Sequence, residues 1–178
     1  RIDGSQAARV LNSPLVADGD VGIFLSSSSP SRSGFELSPD GTWVAYQAQQ
    51  NSLQRELFRV PIDGSGPSVR LSVDLEASDR LGTVQRFTPD SSRLVYLVQQ
   101  ASGLNLHSVP VDGSGASVQL NGPLLGGGRR VEDDFLSRVN GQEVIYRARQ
   151  VTPNDLDLLR VPIDGSAAPQ LLSMPLDT

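Results

Sequence analysis

Three tyrosines, Tyr46, Tyr96 and Tyr146, fall 50 residues apart both times, each inside a similar run: "GTWVAYQAQQ" (41–50), "SRLVYLVQQ" (92–100) and "QEVIYRARQ" (142–150). An internal period of this length means that the chain builds one supersecondary unit several times over, and that no unit can bury its apolar faces alone. Other features keep the register. Turn chemistry precedes each tyrosine run, as "SPDG" (38–41), "TPDS" (88–91) and the weaker "RVNG" (138–141), with Phe35, Phe87 and Phe135 just ahead of it. Pro followed by Asp-Gly, or Asn-Gly, suits a tight turn with a left-handed residue. After each tyrosine run come "ELFRVPID", "NLHSVPVD" and "DLLRVPID", then an Asp-Gly-Ser turn, then "SVRLS", "SVQLN" and "PQLLS". Each unit thus reads as four short strands joined by hairpin turns.

Val44, Tyr46 and Ala48, like Leu94, Tyr96 and Val98 or Val144, Tyr146 and Ala148, alternate with period two and share a sheet face. The intervening Ala45, Val95 and Ile145 are apolar as well, so the strand is covered on both sides. Four-stranded antiparallel units that need neighbours on both faces describe β-propeller blades. A β-solenoid uses shorter coils, and the period of two with 12 Pro excludes a helical repeat. The expected fold is therefore all-β, a propeller segment of about three complete blades plus an extra N-terminal outer strand.

The phase of the repeat sets the expected organisation. "RIDGSQAARVLNSP" (1–14) reads as the closing turn and outer strand of a preceding blade. Blade 1 then takes 15–75 with a Ser-rich insertion, blade 2 takes 76–124 and blade 3 takes 125–178. A ring needs about four blades at least. Three blades with a spare strand leave apolar faces open, so the chain is expected to be a piece of a longer propeller or a subunit of a homo-oligomeric ring.

The stretch F-x-L-S-P-D-G-x-x-V-A-Y from Phe35 to Tyr46, followed by "LFRVPIDGSG" (57–66), resembles the TolB-like β-propeller repeats. "LNSPLV" (11–16) and "LNGPLL" (120–125) are similar to the spacers that join blades in long bacterial repeat proteins. The resemblance covers all three units and implies an extracytoplasmic, non-catalytic interaction role, in rings of about six to eight blades. Departures are "RVNG" in the third unit and the insertion at "LSSSSPSRSG" (25–34), read as a surface loop between blades.

Composition narrows the function classes. Cysteine is absent, which removes disulfides and thiolate metal sites. All 15 basic residues are Arg, scattered, against a net charge of −5, so no stripe exists to neutralise a nucleic-acid backbone. No apolar run is long enough to span a membrane. The chain opens on Arg1 without a signal-peptide pattern, and a targeting segment is expected upstream.

Catalytic, cofactor-binding and metal residues are all expected to be none. His107 occupies a slot where aligned copies carry Phe58 and Leu159, which points to packing. The acidic groups "DGD" (18–20), "EDD" (132–134) and "NDLD" (154–157) lack calcium-loop spacing. Gly126-Gly127-Gly128 before Arg129-Arg130 lacks the Lys and Ser/Thr of a phosphate loop and reads as an interblade connection. Asp3, Asp63, Asp112 and Asp164 are expected to hold their own turns, and the third strands to end at Pro61, Pro110 and Pro162. Arg59 and Arg160, aligned with Ser108, are expected at the surface. Three functions remain: a scaffold for protein or glycan contacts, the gating propeller of a prolyl-oligopeptidase-type peptidase whose catalytic domain lies elsewhere, and a sugar-binding propeller. The expected partners are a protein or further blades.

Overall fold

The computed structural model describes residues 7–22, 34–52, 54–125, 128–138, 140–151 and 154–173. Three four-stranded antiparallel sheets follow one another along the chain, each in simple order. Blade 1 is β1 (Phe35–Leu37), β2 (Trp43–Ala48), β3 (Glu56–Pro61) and β4 (Val69–Arg70). Blade 2 is β5 (Arg80–Phe87), β6 (Arg93–Gln100), β7 (Gly103–Pro110) and β8 (Val118–Gln119). Blade 3 is β9 (Leu136–Ser137), β10 (Glu143–Ala148), β11 (Asp157–Pro162) and β12 (Gln170–Leu171). The fourth strand is two residues long in every blade. The described residues contain no helix, and so none long and apolar enough to cross a membrane.

Alternation along the strands decides how the sheets pack. Ala45, Leu57 and Leu71 on one face of blade 1 meet Leu94, Tyr96, Val98 and Val109 of blade 2. The opposite face of blade 2, with Val95, Leu97, Leu106 and Leu120, meets Val144, Tyr146, Leu159 and Val161 of blade 3. Each middle strand thus serves two cores, as its doubly apolar sequence requires. The outer face of blade 1, with Tyr46, Phe58 and Val60, is covered by Leu11 and Leu15.

Leu11 and Leu15 stand where Leu71 and Leu75, or Leu120 and Leu124, cover the next blade. The N-terminal segment therefore takes the place of a preceding blade's outer edge. Over 7–14 it forms no ladder with any strand of the described residues. Residues 1–6, with Asp3, lie outside the described residues.

Two alignments need correction. Phe87 pairs with Leu94, whereas Phe35 pairs with Tyr46, so Phe87 matches Leu37 of blade 1. The pleat makes the two-residue shift harmless, since both positions face the same way. The Ser-rich insertion does not join blades: its flanks, Gly22 and Gly34, both bond Gln47, Gly22 N donating to its carbonyl (2.9 Å) and Gln47 N donating to Gly34 O (3.1 Å). Both flanks therefore lie beside β2 of blade 1, and 23–33 themselves lie outside the described residues.

Candidate interaction surface

Turn chemistry comes first, because it consumes most of the carboxylates that sequence singled out. Asp63, Asp112 and Asp164 accept the amides of Ser65 (2.9 Å), Ser114 (2.8 Å) and Ser166 (3.0 Å). Bonds from those serines hold all three carboxyls below the usual carboxylate range. Gly64, Gly113 and Gly165 take φ of 64°, 79° and 70°, the left-handed region in which only glycine is unstrained. The third strands end at Pro61, Pro110 and Pro162, where no ladder donor remains. At the other edge of the blades, Asp40 accepts the Thr42 amide (3.0 Å) and Asp90 the Ser92 amide (3.1 Å).

Four of the remaining acidic candidates are likewise tied to structure. Asp157 is buried and accepts the amides of Gln150 (3.0 Å) and Val151 (2.7 Å), closing the hairpin between β10 and β11. Glu132 pairs with Arg130 (2.6 Å) and Asp134 with Arg147 (2.6 Å). Asp20 pairs with Arg55. Among the described residues no three His, Cys, Asp or Glu side chains group to hold a metal ion. Gly126 and Gly127 lie outside the described residues.

His107 is buried on β7 opposite Tyr96, with ring centroids 5.7 Å apart. Its register partner positions are Phe58 opposite Tyr46 and Leu159 opposite Tyr146, so it fills a packing slot. Neither ring nitrogen finds a hydrogen-bond partner, and burial lowers its pKa from 6.5 to about 4, with Asp79 offsetting only part. The ring is neutral at pH 7 and sealed from any substrate.

The junctions between blades hold what sequence reasoning missed. Arg59 is buried, and its Nη2 donates to the Asp112 carbonyl (3.0 Å) in the next blade's Asp-Gly-Ser turn. Its guanidinium lies 4.0 Å from the Trp43 ring centroid. The surface position expected from its variability is a bridge instead: Ser108 replaces it in blade 2, and Arg93 donates to Ser108 Oγ (2.7 Å) beside the charges of Asp164 and Asp112. Arg9 does the same work on blade 1, donating to the carbonyls of Asp63 (3.2 Å) and Gly64 (2.6 Å). Arg9 is exposed and Arg160 half-exposed, whereas Arg59 is buried. Deeper in the first junction, Gln47 Nε2 donates to Gly82 O and Gln85 Oε1, both at 2.8 Å, across a bulge in β5. Val73 N donates to the Tyr96 hydroxyl (2.9 Å).

At the opposite edge the Asp40 amide donates to Ser91 Oγ (3.1 Å) of the next blade. The Asp90 carboxylate in turn lies over Gly141, where an added Cβ would meet its Oδ2 at 2.5 Å. Glu36 is enclosed in the first junction, accepts the Phe87 amide (3.4 Å), and is pushed by burial up to about 7.

Four-stranded antiparallel sheets, packed face to face in series and latched turn to turn, are the blades of a β-propeller. The propellers that this arrangement matches are of the TolB kind. A TolB-type protein of Agrobacterium tumefaciens superimposes with TM-score 0.56 at 16% identity over 79% of this chain and 46% of that one. TolB of Acinetobacter baumannii gives TM-score 0.51 at 15% identity over 79% of this chain and 32% of its own. These likenesses establish the fold. No protein-family model matches the chain. In sequence, dipeptidyl-peptidase 5 of Aspergillus oryzae is 31% identical over 104 residues, and its Aspergillus flavus counterpart is equally similar. That match covers 45% of this chain and 14% of the peptidase, so the chain spans a small part of the curated relatives it resembles.

Proposed function

We propose that this chain is a non-enzymatic propeller scaffold, part of a larger extracytoplasmic repeat protein or ring, whose blades present surfaces for protein or glycan contacts. The observation that carries this reading is how the polar residues are used. The repeated carboxylates are bound to their own turns, the single histidine is sealed in a core, and the buried arginine works between blades. The likeness to TolB structures supports the extracytoplasmic assignment and a protein partner.

The identity to a dipeptidyl-peptidase over 104 residues favours one second reading, the gating propeller of a serine peptidase. The two differ in what the gene encodes beyond Thr178. Further blades there support the scaffold, whereas an α/β-hydrolase segment with a Gly-x-Ser-x-Gly elbow overturns it. In parallel, the complete protein incubated with dipeptide anilides is expected to release no chromophore above background. A glycan array probed with it separates sugar from protein contacts.

A further inference from the structure

The three blades are entered by the same backbone path but with different charge. Val21 pairs with Ala48, Leu81 with Val98 and Val131 with Ala148, so the residues just ahead, Gly19-Asp20, Asp79-Arg80 and Arg129-Arg130, are equivalent. In blade 1 the entering Asp20 pairs with Arg55 of the hairpin between β2 and β3. In blade 2 the side chain of Asp79 is buried and accepts the Glu76 amide (3.2 Å). In blade 3 both entering positions are arginine, and the hairpin after β10 adds a third, Arg149.

Arg129 and Arg130 border an open cavity of about 570 Å³ between blades 2 and 3, with Gln99, Gly103 and Leu104 of blade 2 across from them. The main chain at this place is pinned. The Leu104 amide donates to Arg129 O (3.0 Å) and the Val131 amide to Leu104 O (2.8 Å), while Gly103 leaves no room for a Cβ against Arg129 O. Gly128, also in the wall, is open instead: a Cβ there would meet only Arg149 Nη1, at 3.9 Å, among the described residues. Arg149 therefore reaches toward the same side of the entering segment.

Counter-charge in this region is already committed. Glu132 holds Arg130 through two bonds, from Nε (3.0 Å) and Nη2 (2.6 Å), and Asp134 holds Arg147 (2.6 Å). Arg149 Nε donates to the carbonyl of Asn154 (3.4 Å), and the exposed Arg129 guanidinium has no partner; no carboxylate pairs with either among the described residues. Two guanidiniums beside one cavity repel each other, and an anion between them reverses that interaction. Their planar forks match the geometry of carboxylate and phosphate oxygens.

We propose that this cavity between blades 2 and 3 binds an oxyanion, a carboxylate or phosphate group, held by Arg129 and Arg149. The chemistry is the same for a free ion and for an acidic side chain on a partner. Both blades that form the site belong to the described residues, and the inference goes beyond the scaffold reading, which stands if this site fails.

The test follows the arginine Nε–H resonances of the protein while sodium phosphate, or in a second arm an oligoglutamate peptide, replaces sodium chloride at constant ionic strength. The Arg129 and Arg149 signals are expected to shift together and saturate with one midpoint, while Arg160, at the outer edge of blade 3, drifts without saturating. Arg129→Gln and Arg149→Gln are each expected to weaken that midpoint by about tenfold or more, the loss of a charge-assisted bond, whereas Arg160→Gln leaves it unchanged. Saturation by phosphate alone supports a site for the free ion, and a tighter midpoint for the peptide supports one for a partner's acidic segment. Shifts at Arg129 that stay linear and match those at Arg160 in both arms overturn the proposal. A second variant, Arg129→Asp, puts back the carboxylate that blade 2 carries at Asp79. Phosphate is expected to raise the Tm of the unsubstituted protein and not of this variant, and an equal rise in both also overturns the site.

Discussion

Burial disfavours the charged forms of both His107 and Glu36, and they give stability opposite slopes with pH. The His107 pKa is about 4 when folded, against 6.5 in an exposed chain, so its contribution is complete above pH 6.5 and is lost as pH falls toward 4. His107→Leu, the residue that blade 3 uses at this register, is expected to remove that acid limb. It also deletes two unsatisfied buried nitrogens, for a gain of about 1–2 kcal/mol at pH 7 in urea melts. The Glu36 carboxyl titrates near 7 when folded against 4.5 unfolded, so stability on its account is complete below pH 4.5 and declines as pH rises to 7. Glu36→Gln is expected to flatten that decline, read as ΔG of unfolding across pH 4.5–8. A third residue, Gly141, combines φ of 68° with the Asp90 carboxylate lying over it. Gly141→Ala should cost about 1–2 kcal/mol or more, visible as a lowered Tm.

Between elements, the arginine bridge from one blade to the next turn is the contact with most at stake. Arg59→Met removes both the guanidinium over Trp43 and the donor to Asp112 O, and is expected to destabilise by about 1–3 kcal/mol in denaturant melts. Arg160→Met, at the same strand position but exposed, is expected to change stability by less than about 0.5 kcal/mol in this chain. A matched pair of large losses would mean that Arg160 already has a packed partner. The strands themselves were legible from sequence: period-two alternation located β2, β6 and β10, and the Pro before each Asp-Gly-Ser turn located the ends of β3, β7 and β11. What alignment could not show is that a position filled by Arg, Ser and Arg is a bridge, because Arg93 of the neighbouring strand compensates for Ser108 in blade 2. Variation between copies there reflects substitution within one junction rather than exposure.

For the molecule as a whole, packing in series makes stability a sum over blades and their junctions. Blade 2 alone has a blade on each face, while blade 1 is covered on one side by a short segment and blade 3 leaves Leu136, Leu158 and Leu172 wet. Amide hydrogen exchange is therefore expected to be slowest in β6 and β7 and faster in β10 and β11. Uniform protection across the three blades would mean that the chain unfolds as one unit.

Sequence alone determined the four-stranded unit, its turns, its number of copies and the absence of a stripe of basic charge, because these follow from local periodicity and turn stereochemistry. It also placed His107 in a packing slot and the turn aspartates on their own backbone. Tertiary structure decided which side chains cross from blade to blade, that both flanks of the Ser-rich insertion lie beside β2, and which apolar side chains of the described residues are covered. Those outcomes depend on which faces meet, and a pleat of period two says only that each strand has two.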